Sequence, residues 1–241
     1  MISILYDCFK HLSEKGSVYI YSDPHFGDAE HFKLLKASNK VPEGINTIEE
    51  LDDLQIKNIN SLVHRDDTLI CLGDVGDISY ISKLKAGYKV LLTGNHDRGV
   101  DYYRRATTDI TKLKADLAKS VKLPKELFMN EHELEKHVIF DNKLFDEVYS
   151  GPLMISDKII LSHEPIVPCP RYLVNLHGHT HDRPHKYDFN DHIYYNFCSE
   201  AINYKPISLS KLIKEGLLSK VDDIHRVAVN KAIERKAKRE K

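Results

Sequence analysis

Five short polar clusters, each directly after an apolar run typical of a β-strand, constrain this chain more than any other feature. Every cluster offers histidine, aspartate or asparagine side chains. The clusters are Asp23-Pro24-His25, Gly73-Asp74-Val75-Gly76-Asp77, Gly94-Asn95-His96-Asp97, Ser162-His163-Glu164 and Gly178-His179-Thr180-His181. Because side chains at the ends of several strands can converge on one point, the clusters predict a single site assembled from distant parts of the sequence.

The apolar runs before the clusters predict five strands. They are near-continuous stretches of β-branched, aromatic and aliphatic residues, which is typical of strands buried on both faces. The runs cover residues 18–22, 68–72, 89–93, 158–161 and 172–176. Thr47 and Glu50 have the spacing of a capping box and predict a helix over 47–64, and a shorter helix is expected at 78–85. This β-α-β order predicts an α/β fold.

Two further segments have a different character. Residues 100–147 are charged and weakly helical, which predicts a helical insertion or cap, with a plain surface excursion as the alternative. Residues 209–241 predict a basic C-terminal helix with apolar positions at helical spacing. With 241 residues and a hydrophobic fraction of 41%, the chain can build one sizeable core, and we expect a single domain over residues 1–241.

Composition narrows the classes of function. The formal net charge of −1 gives the molecule no overall attraction to nucleic acid or acidic membranes, and a solvated helix face explains the basic end better than a nucleic-acid arm. The four cysteines form no CxxC pair, which argues against a disulfide framework and a thiolate zinc site. Residues 1–7 lack the pattern of a signal peptide, and no run approaches the roughly 18 apolar residues of a membrane span, so we expect a cytoplasmic protein.

The five clusters share one ligand chemistry. Imidazole nitrogens mixed with carboxylate and amide oxygens suit Mn, Fe, Zn, Co or Ni better than Ca or Mg. His179 and His181, two residues apart, are able to reach two neighbouring ions from one strand end. A carboxylate such as Asp74 can bridge ions about 3.5 to 4 Å apart, as in two-metal sites of phosphoryl transfer. Turn and cap chemistry explains any one cluster, but the five together predict a metal centre.

In this order the clusters resemble the signature of the calcineurin-like metallophosphoesterase superfamily. The matched pattern is Asp23-x-His25, Gly73-Asp74-x-x-Asp77, Gly94-Asn95-His96-Asp97, His163 and Gly178-His179-x-His181. The resemblance implies a four-layer αββα sandwich, in which helices flank two mixed β-sheets, and a small phosphoesterase of bacterial or phage type. This refines the plain parallel sheet that the apolar runs alone predict.

The resemblance also implies a role for each matched residue. The implied metal ligands are Asp23, His25 and His181 for one ion, Asn95, His163 and His179 for the other, and Asp74 as the bridge. A hydroxide shared by the ions would attack phosphorus in line; Mn²⁺ is the expected metal, with Fe, Zn, Ni and Co as alternatives. His96 would protonate the leaving oxygen, and Asp97 would orient its imidazole or keep it charged. Arg98 is the candidate cation for a phosphate oxygen, with a surface role as the alternative.

Other polar residues near the clusters have simpler explanations. Asp77 is expected to have a structural role in its loop, and His177 fits a supporting role as well as a contact with substrate. Asp28 and Glu164 are candidate supporting acids that no spacing requires. Histidines without motif context are expected at the surface or in packing: His11, His31, His64, His132, His137, His192 and His225.

The predicted function is the hydrolysis of a phosphate ester, with a phosphodiester of a small nucleotide-like molecule as the first expectation. A protein Ser/Thr phosphatase is one alternative, although that branch carries an arginine and a glutamate where this chain has Ile78 and Asp97. A binding scaffold on the same fold is another, although every ligand position and His96 are present. Nucleic acid is a less favoured substrate, and a homodimer through the C-terminal helix remains open.

Overall fold

The computed structural model describes residues 5–12, 15–97, 144–167, 169–189, 192–219 and 221. Within these ranges the strands are β1 (Val18–Tyr21), β2 (Thr68–Cys71), β3 (Tyr88–Leu92), β4 (Glu147–Tyr149), β5 (Leu153–Met154), β6 (Ile159–Leu161), β7 (Val174–His177), β8 (Lys186–Phe189), β9 (His192–Asn196) and β10 (Ile207–Ser208). The helices are α1 (Ala29–Ala37), α2 (Ile48–Leu62) and α3 (Leu209–Lys214), with 3₁₀ helices at Ile78–Lys83 and Ser199–Ile202.

The strands form two mixed sheets of five strands each. The first has the order β10-β1-β2-β3-β4, with only β10 antiparallel to its neighbour. The second has the order β5-β6-β7-β9-β8, in which β6, β7 and β9 are parallel and the two edge strands antiparallel. All five predicted strands are present within two residues of their expected bounds, and the α/β prediction is confirmed. The four-layer arrangement stays a prediction.

One apolar core joins the two sheets. Ile20 and Ile70 of the first sheet belong to the same buried cluster as Leu161 and Leu176 of the second, and all four are 0% exposed. Burial of each such side chain stabilises the fold by about 1.5 to 3 kcal/mol. An isolated β-bridge between Ser22 and Cys198 links the carboxyl ends of β1 and β9. The sheets therefore meet where the polar clusters lie.

Helix α2 begins at the predicted capping box. The Thr47 hydroxyl accepts a hydrogen bond from the Glu50 amide, and the Glu50 carboxylate accepts one from the Thr47 amide, both at 3.2 Å. Leu62 near the end of α2 is exposed, and the buried face of the helix includes Leu51, Gln55 and Ile59. The Gln55 amide donates to the Pro24 carbonyl at 3.0 Å, so α2 fixes the loop of the first polar cluster.

Within the described residues, the predicted helix over residues 209–241 is interrupted, because α3 ends at Lys214. Gly216 adopts a left-handed φ of +95°. Its amide and that of Leu217 donate to carbonyls in the last turn of α3, at 3.2 and 2.9 Å. This is the hydrogen-bond pattern of a glycine helix end, which the apolar periodicity on both sides of Gly216 concealed. Residues 222–241 lie outside the described part of the chain.

Most of the segment predicted as an insertion, residues 100–143, also lies outside the described residues. After it, Val148 and Tyr149 belong to β4, which pairs in parallel with β3. In the part of the chain that the structure describes, no helix has the length and apolar character needed to cross a membrane.

Candidate metal centre

The five polar clusters come together where the carboxyl ends of the strands meet. Ligand atoms of Asp23, His25 and Asp74 lie within 4.8 Å of one another, as do those of Asp74, His163 and His179. We call the first donor group Asp23, His25, Asp74 and His181, and the second donor group Asp74, Asn95, His163 and His179. Asp74 belongs to both, as the sequence predicts for the bridging carboxylate.

Three of the four residues of the first donor group are buried, and His181 is half-buried. Asp23 is 0% and His25 is 3% exposed. The Nε2 atom of His181 lies 3.6 Å from Oδ1 of Asp23, and Nε2 of His25 lies 3.8 Å from Oδ2 of Asp74. Nε2 of His25 is buried and has no hydrogen-bond partner. A buried polar atom without a partner is costly, and a cation at this point would satisfy it.

The second donor group converges on Asn95. Its side-chain oxygen lies 2.8 Å from Nε2 of His163 and 2.9 Å from Nδ1 of His179. Nε2 of His163 is also 3.4 Å from Oδ2 of Asp74. The other ring nitrogen of His163 pairs with the Leu72 carbonyl at 2.8 Å, which fixes the orientation of the ring and leaves Nε2 for the donor group.

The backbone is strained at four of the predicted ligands. Asp23, His25, Asp74 and His179 have φ of 52°, 45°, 51° and 64°, the left-handed region that residues with a Cβ avoid. Each such residue costs about 1 to 3 kcal/mol and persists only where the surrounding structure imposes it. Their concentration at one point indicates a functional site.

Glycines of the polar clusters allow the loops to approach one another. A Cβ atom at Gly94 would overlap Oδ1 of Asp74, and one at Gly178 would overlap Oδ2 of Asp23. A side chain at either position would therefore displace a predicted ligand. The Gly178 loop also positions the amide of His179, which donates to the Asp23 carboxylate at 3.0 and 3.1 Å.

The charges of the donor groups are strongly coupled. Burial opposes ionisation of Asp74, but the hydrogen bond and charge of His163 outweigh it and lower the pKa of Asp74 to about 2. Burial opposes protonation of His163, but Asp74 and Asp23 raise the pKa of His163 to about 9. Burial and the neighbouring His31 and His181 lower the pKa of His25 to about 3. A cation at the second donor group would therefore compete with a proton for His163.

Glu200 is a supporting residue that the sequence analysis missed. Its Oε1 lies 2.8 Å from Nδ1 of His181, so it orients this ring and leaves Nε2 for the first donor group. Burial opposes protonation of His181, but Glu200 outweighs it and raises the pKa of His181. No pattern marks Glu200 in the sequence, because it lies on a 3₁₀ helix remote from the five clusters. His31, which the sequence places at the surface or in packing, stacks its ring on that of His25.

Asp97 has different partners from the predicted one. Its Oδ2 accepts hydrogen bonds from the amides of Asp74 and Gly94, both at 2.8 Å, and Oδ1 accepts one from Val75 at 3.1 Å. No hydrogen bond joins it to His96 within the described residues. Burial raises the pKa of the Asp97 carboxyl group against the opposing effect of these amides. Asp97 thus ties the second and third polar clusters together and positions Asp74, rather than orienting the predicted acid.

His96 lies at the open side of the site. Its side chain is exposed, its amide donates to Oδ1 of Asp74 at 2.9 Å, and its ring centroid is 5.3 Å from that of His25. An exposed imidazole beside the donor groups is able to exchange protons with both a bound substrate and solvent. Arg98, the predicted phosphate contact, lies outside the described residues.

Two other predictions receive a structural explanation. Asp77 caps the 3₁₀ helix that follows it, accepting a hydrogen bond from the Ser79 amide at 2.9 Å, which confirms its predicted loop role. His177 is fully buried and its Nε2 pairs with the Tyr187 hydroxyl at 2.8 Å, which favours support over contact with substrate.

A thiol also lies beside the first donor group, contrary to the expectation from cysteine spacing. Cys198 offers its sulfur within 4.8 Å of ligand atoms of Asp23 and His181. The residue is 0% exposed, and burial raises the pKa of its thiol well above the ordinary value. Because thiolates rather than thiols bind metals, Cys198 is a poor ligand in this environment.

A cavity of about 410 Å³ opens beside the second donor group. Asn95 and His163 form part of its wall, and the remaining lining combines apolar and hydroxyl side chains with Glu164. Those further residues include Leu92, Thr93, Ser150, Pro152, Ser162 and Ile166. Its volume lies in the range of cavities that bind small molecules.

Comparisons with known proteins do not show which family this chain belongs to. No protein-family model matches the chain, and no curated protein matches it. Among solved structures it is similar to a protein of unknown function from Aquifex aeolicus, with 21% identity and a TM-score of 0.48, over 83% of this chain and 99% of that one. It is more remotely similar to phosphopantetheinyl hydrolase from Mycobacterium tuberculosis, with 13% identity and a TM-score of 0.30, over 80% of this chain and 94% of that one. Likenesses of this degree carry no argument about function.

Proposed function

We propose that this chain is a phosphoesterase of the calcineurin-like metallophosphoesterase superfamily that requires two divalent transition-metal ions. The observation that carries the proposal is the pair of donor groups sharing Asp74. Their imidazole, carboxylate and amide donors fit Mn²⁺, Fe, Zn, Co or Ni, and the unpartnered Nε2 of His25 supports a cation at the first group. Bound ions would activate water and neutralise the charge of the phosphate group.

The chain's own residues would hold the ions and move one proton. Asp23, His25 and His181 would hold the first ion, and Asn95, His163 and His179 the second, with Asp74 between them. His96, exposed beside these residues, would donate a proton to the leaving oxygen of the ester. Asp97 would hold Asp74 and the loop of His96 in position relative to each other, because it accepts hydrogen bonds from three backbone amides of the two loops.

The cavity beside the second donor group supports a small-molecule ester. It would take the organic part of the substrate, while the phosphate lies between the two donor groups. Its volume of about 410 Å³ suits a nucleotide-like molecule, and we propose a phosphodiester as the preferred substrate class.

Reconstitution with metal tests the proposal. Protein stripped of metal by a chelator should hydrolyse neither an aryl phosphodiester nor the corresponding monoester. Addition of two equivalents of Mn²⁺ should restore hydrolysis, with the diester cleaved faster. A His64→Ala variant, whose exposed side chain is remote from both donor groups, should behave as the wild type.

Protein that binds two Mn²⁺ ions but cleaves neither ester would overturn the enzyme assignment in favour of a binding scaffold. Cleavage of a phosphoserine peptide without cleavage of the diester would overturn the substrate class in favour of a protein phosphatase.

A further inference from the structure

His31 contacts the first donor group without belonging to the predicted ligand set. It lies in the first turn of α1, where its amide donates to the capping carboxylate of Asp28 at 2.9 Å. Its ring stacks on that of His25, with centroids 3.9 Å apart and planes 18° from parallel. The ring of His181 lies on another side, with centroids 4.5 Å apart and an interplanar angle of 53°. Three imidazoles therefore occupy one compact space.

The stacking decides what His31 can do there. Imidazole binds a metal through a lone pair in the plane of the ring, so two rings that share an ion must direct their lone pairs toward one point. The planes of His25 and His31 are only 18° from parallel at 3.9 Å, so their lone pairs run side by side. Nε2 of His31 is buried without a hydrogen-bond partner, and a ring nitrogen of His31 lies within 4.8 Å of ligand atoms of His25 and His181. Two stacked rings nevertheless cannot direct their in-plane lone pairs at one ion, so His31 supports the ring of His25 and does not share its ion.

The ring of His25 needs such support. Its Nε2 has no hydrogen bond, and Nδ1 is 3.5 Å from Oδ2 of Asp28, too far for a strong bond that fixes the ring. Metal-binding histidines are normally held in position by a hydrogen bond at the other ring nitrogen, as Glu200 holds His181. For His25 the flat face of His31 takes the place of that hydrogen bond.

We propose that His31 is a positioning residue of the first donor group, which fixes the plane of His25 by stacking and thereby sets the affinity of this group for its cation. The inference rests on the proposed function, since it concerns the same metal centre.

Titration with Co²⁺ tests the inference through the visible absorption of the bound ion and competition with a chelator, independently of hydrolysis. His31→Ala and His31→Asn remove the aromatic face, and His31→Phe keeps a face without ring nitrogens. We expect the alanine and asparagine variants to bind one of the two ions about 10- to 100-fold more weakly and the other unchanged. His31→Phe should retain most of the wild-type affinity, and His64→Ala all of it.

Three results would overturn the inference. Equal Co²⁺ affinity in wild type and His31→Asn would show that the ring is not needed. A His31→Phe variant as weak as His31→Asn would show that a nitrogen, not the face, is required. Wild-type protein that takes up no Co²⁺ would overturn the metal centre and this inference together. Wild-type protein that binds both ions but hydrolyses no ester would overturn only the proposed function. Circular dichroism confirms that each variant is folded, and His31→Phe and His31→Asn carry the test if the alanine variant is not.

Discussion

The donor groups and the surroundings of Glu147 are two concentrations of polar side chains with opposite construction. At Glu147, on edge strand β4, both carboxylate oxygens have donors. Tyr88 donates to Oε1 at 2.6 Å, Lys10 pairs with the same oxygen, and Tyr149 donates to Oε2 at 2.5 Å. Burial opposes ionisation, but these partners outweigh it and lower the pKa of Glu147 to about 2.

The polar atoms of the donor groups find partners only in part: Asn95 pairs with His163 and His179, but other atoms have no partner. Nε2 of His25 has no partner, four ligand positions have strained backbone, and burial raises the pKa of Asp23. Buried polar groups that form hydrogen bonds with one another stabilise a fold. Buried polar groups without a partner reduce its stability until a ligand binds. The difference supports a role of the Glu147 surroundings in stabilising the fold and the proposed role of the donor groups in binding. Substitutions in each region test this comparison.

Asp74→Asn should have the largest effect, because Asp74 belongs to both donor groups. Losing its charge weakens the hold on both ions, and we expect turnover to fall by about 10³-fold or more, equivalent to several kcal/mol. Steady-state hydrolysis at saturating Mn²⁺ and the metal content of the purified protein measure this. A variant that keeps two ions and normal turnover would show that Asp74 is not a shared ligand.

His96→Asn should reduce turnover by about 10²- to 10⁴-fold, the usual contribution of a positioned proton donor. Both ions should stay bound, because the contact of residue 96 with Asp74 is made by its backbone amide. Parallel assays of diester hydrolysis and Mn²⁺ content separate these effects. Full activity would remove the acid role, and loss of an ion would instead assign His96 to metal binding.

The sequence predicted most of the donor groups because their residues directly follow the strands that carry them. Apolar runs mark the strands, and the nearest donors, such as Asp23 after β1 and Asp74 after β2, go where the strand ends go. Because the carboxyl ends of parallel strands lie at one edge of a sheet, these donors come close together. The bounds of the strands and the identity of the donor residues that follow them are local properties of the sequence. They can therefore be predicted without knowledge of the three-dimensional fold.

Contacts between distant segments could not be predicted in this way. The Asp97 carboxylate binds backbone amides, which any residue offers, so no sequence pattern marks that role. Glu200 meets His181 from 19 residues away. His31 stacks on His25 because Asp28 caps α1 between them and sets the path of the chain, which the six-residue spacing does not reveal. Gly216 lies at the end of α3 and adopts a left-handed φ. The apolar periodicity of the sequence does not show that this glycine ends the helix.

Glu200→Gln should have a smaller effect than either substitution in the donor groups. It removes the charge that orients His181 but leaves an oxygen for the hydrogen bond, so we expect the affinity of one ion to fall by about 10- to 100-fold. Chelator competition measures the affinities, and turnover at saturating metal should be largely restored. Unchanged affinity for both ions would remove Glu200 from the site.

Glu147→Gln should leave metal affinity unchanged and lower the free energy of unfolding by about 1 to 3 kcal/mol, since charge-assisted hydrogen bonds are weakened in a partly buried cluster. The pH dependence gives a second test. The pKa of Glu147 lies below its ordinary value of 4.5, at about 2, so its contribution is fully present above pH 4.5 and is lost as pH falls through 2. Urea unfolding of metal-free protein between pH 6 and pH 2 should show the gap between wild type and variant closing over that window. A gap independent of pH would mean that the carboxylate charge does not stabilise this edge, and altered metal affinity in the variant would break the division between the two regions.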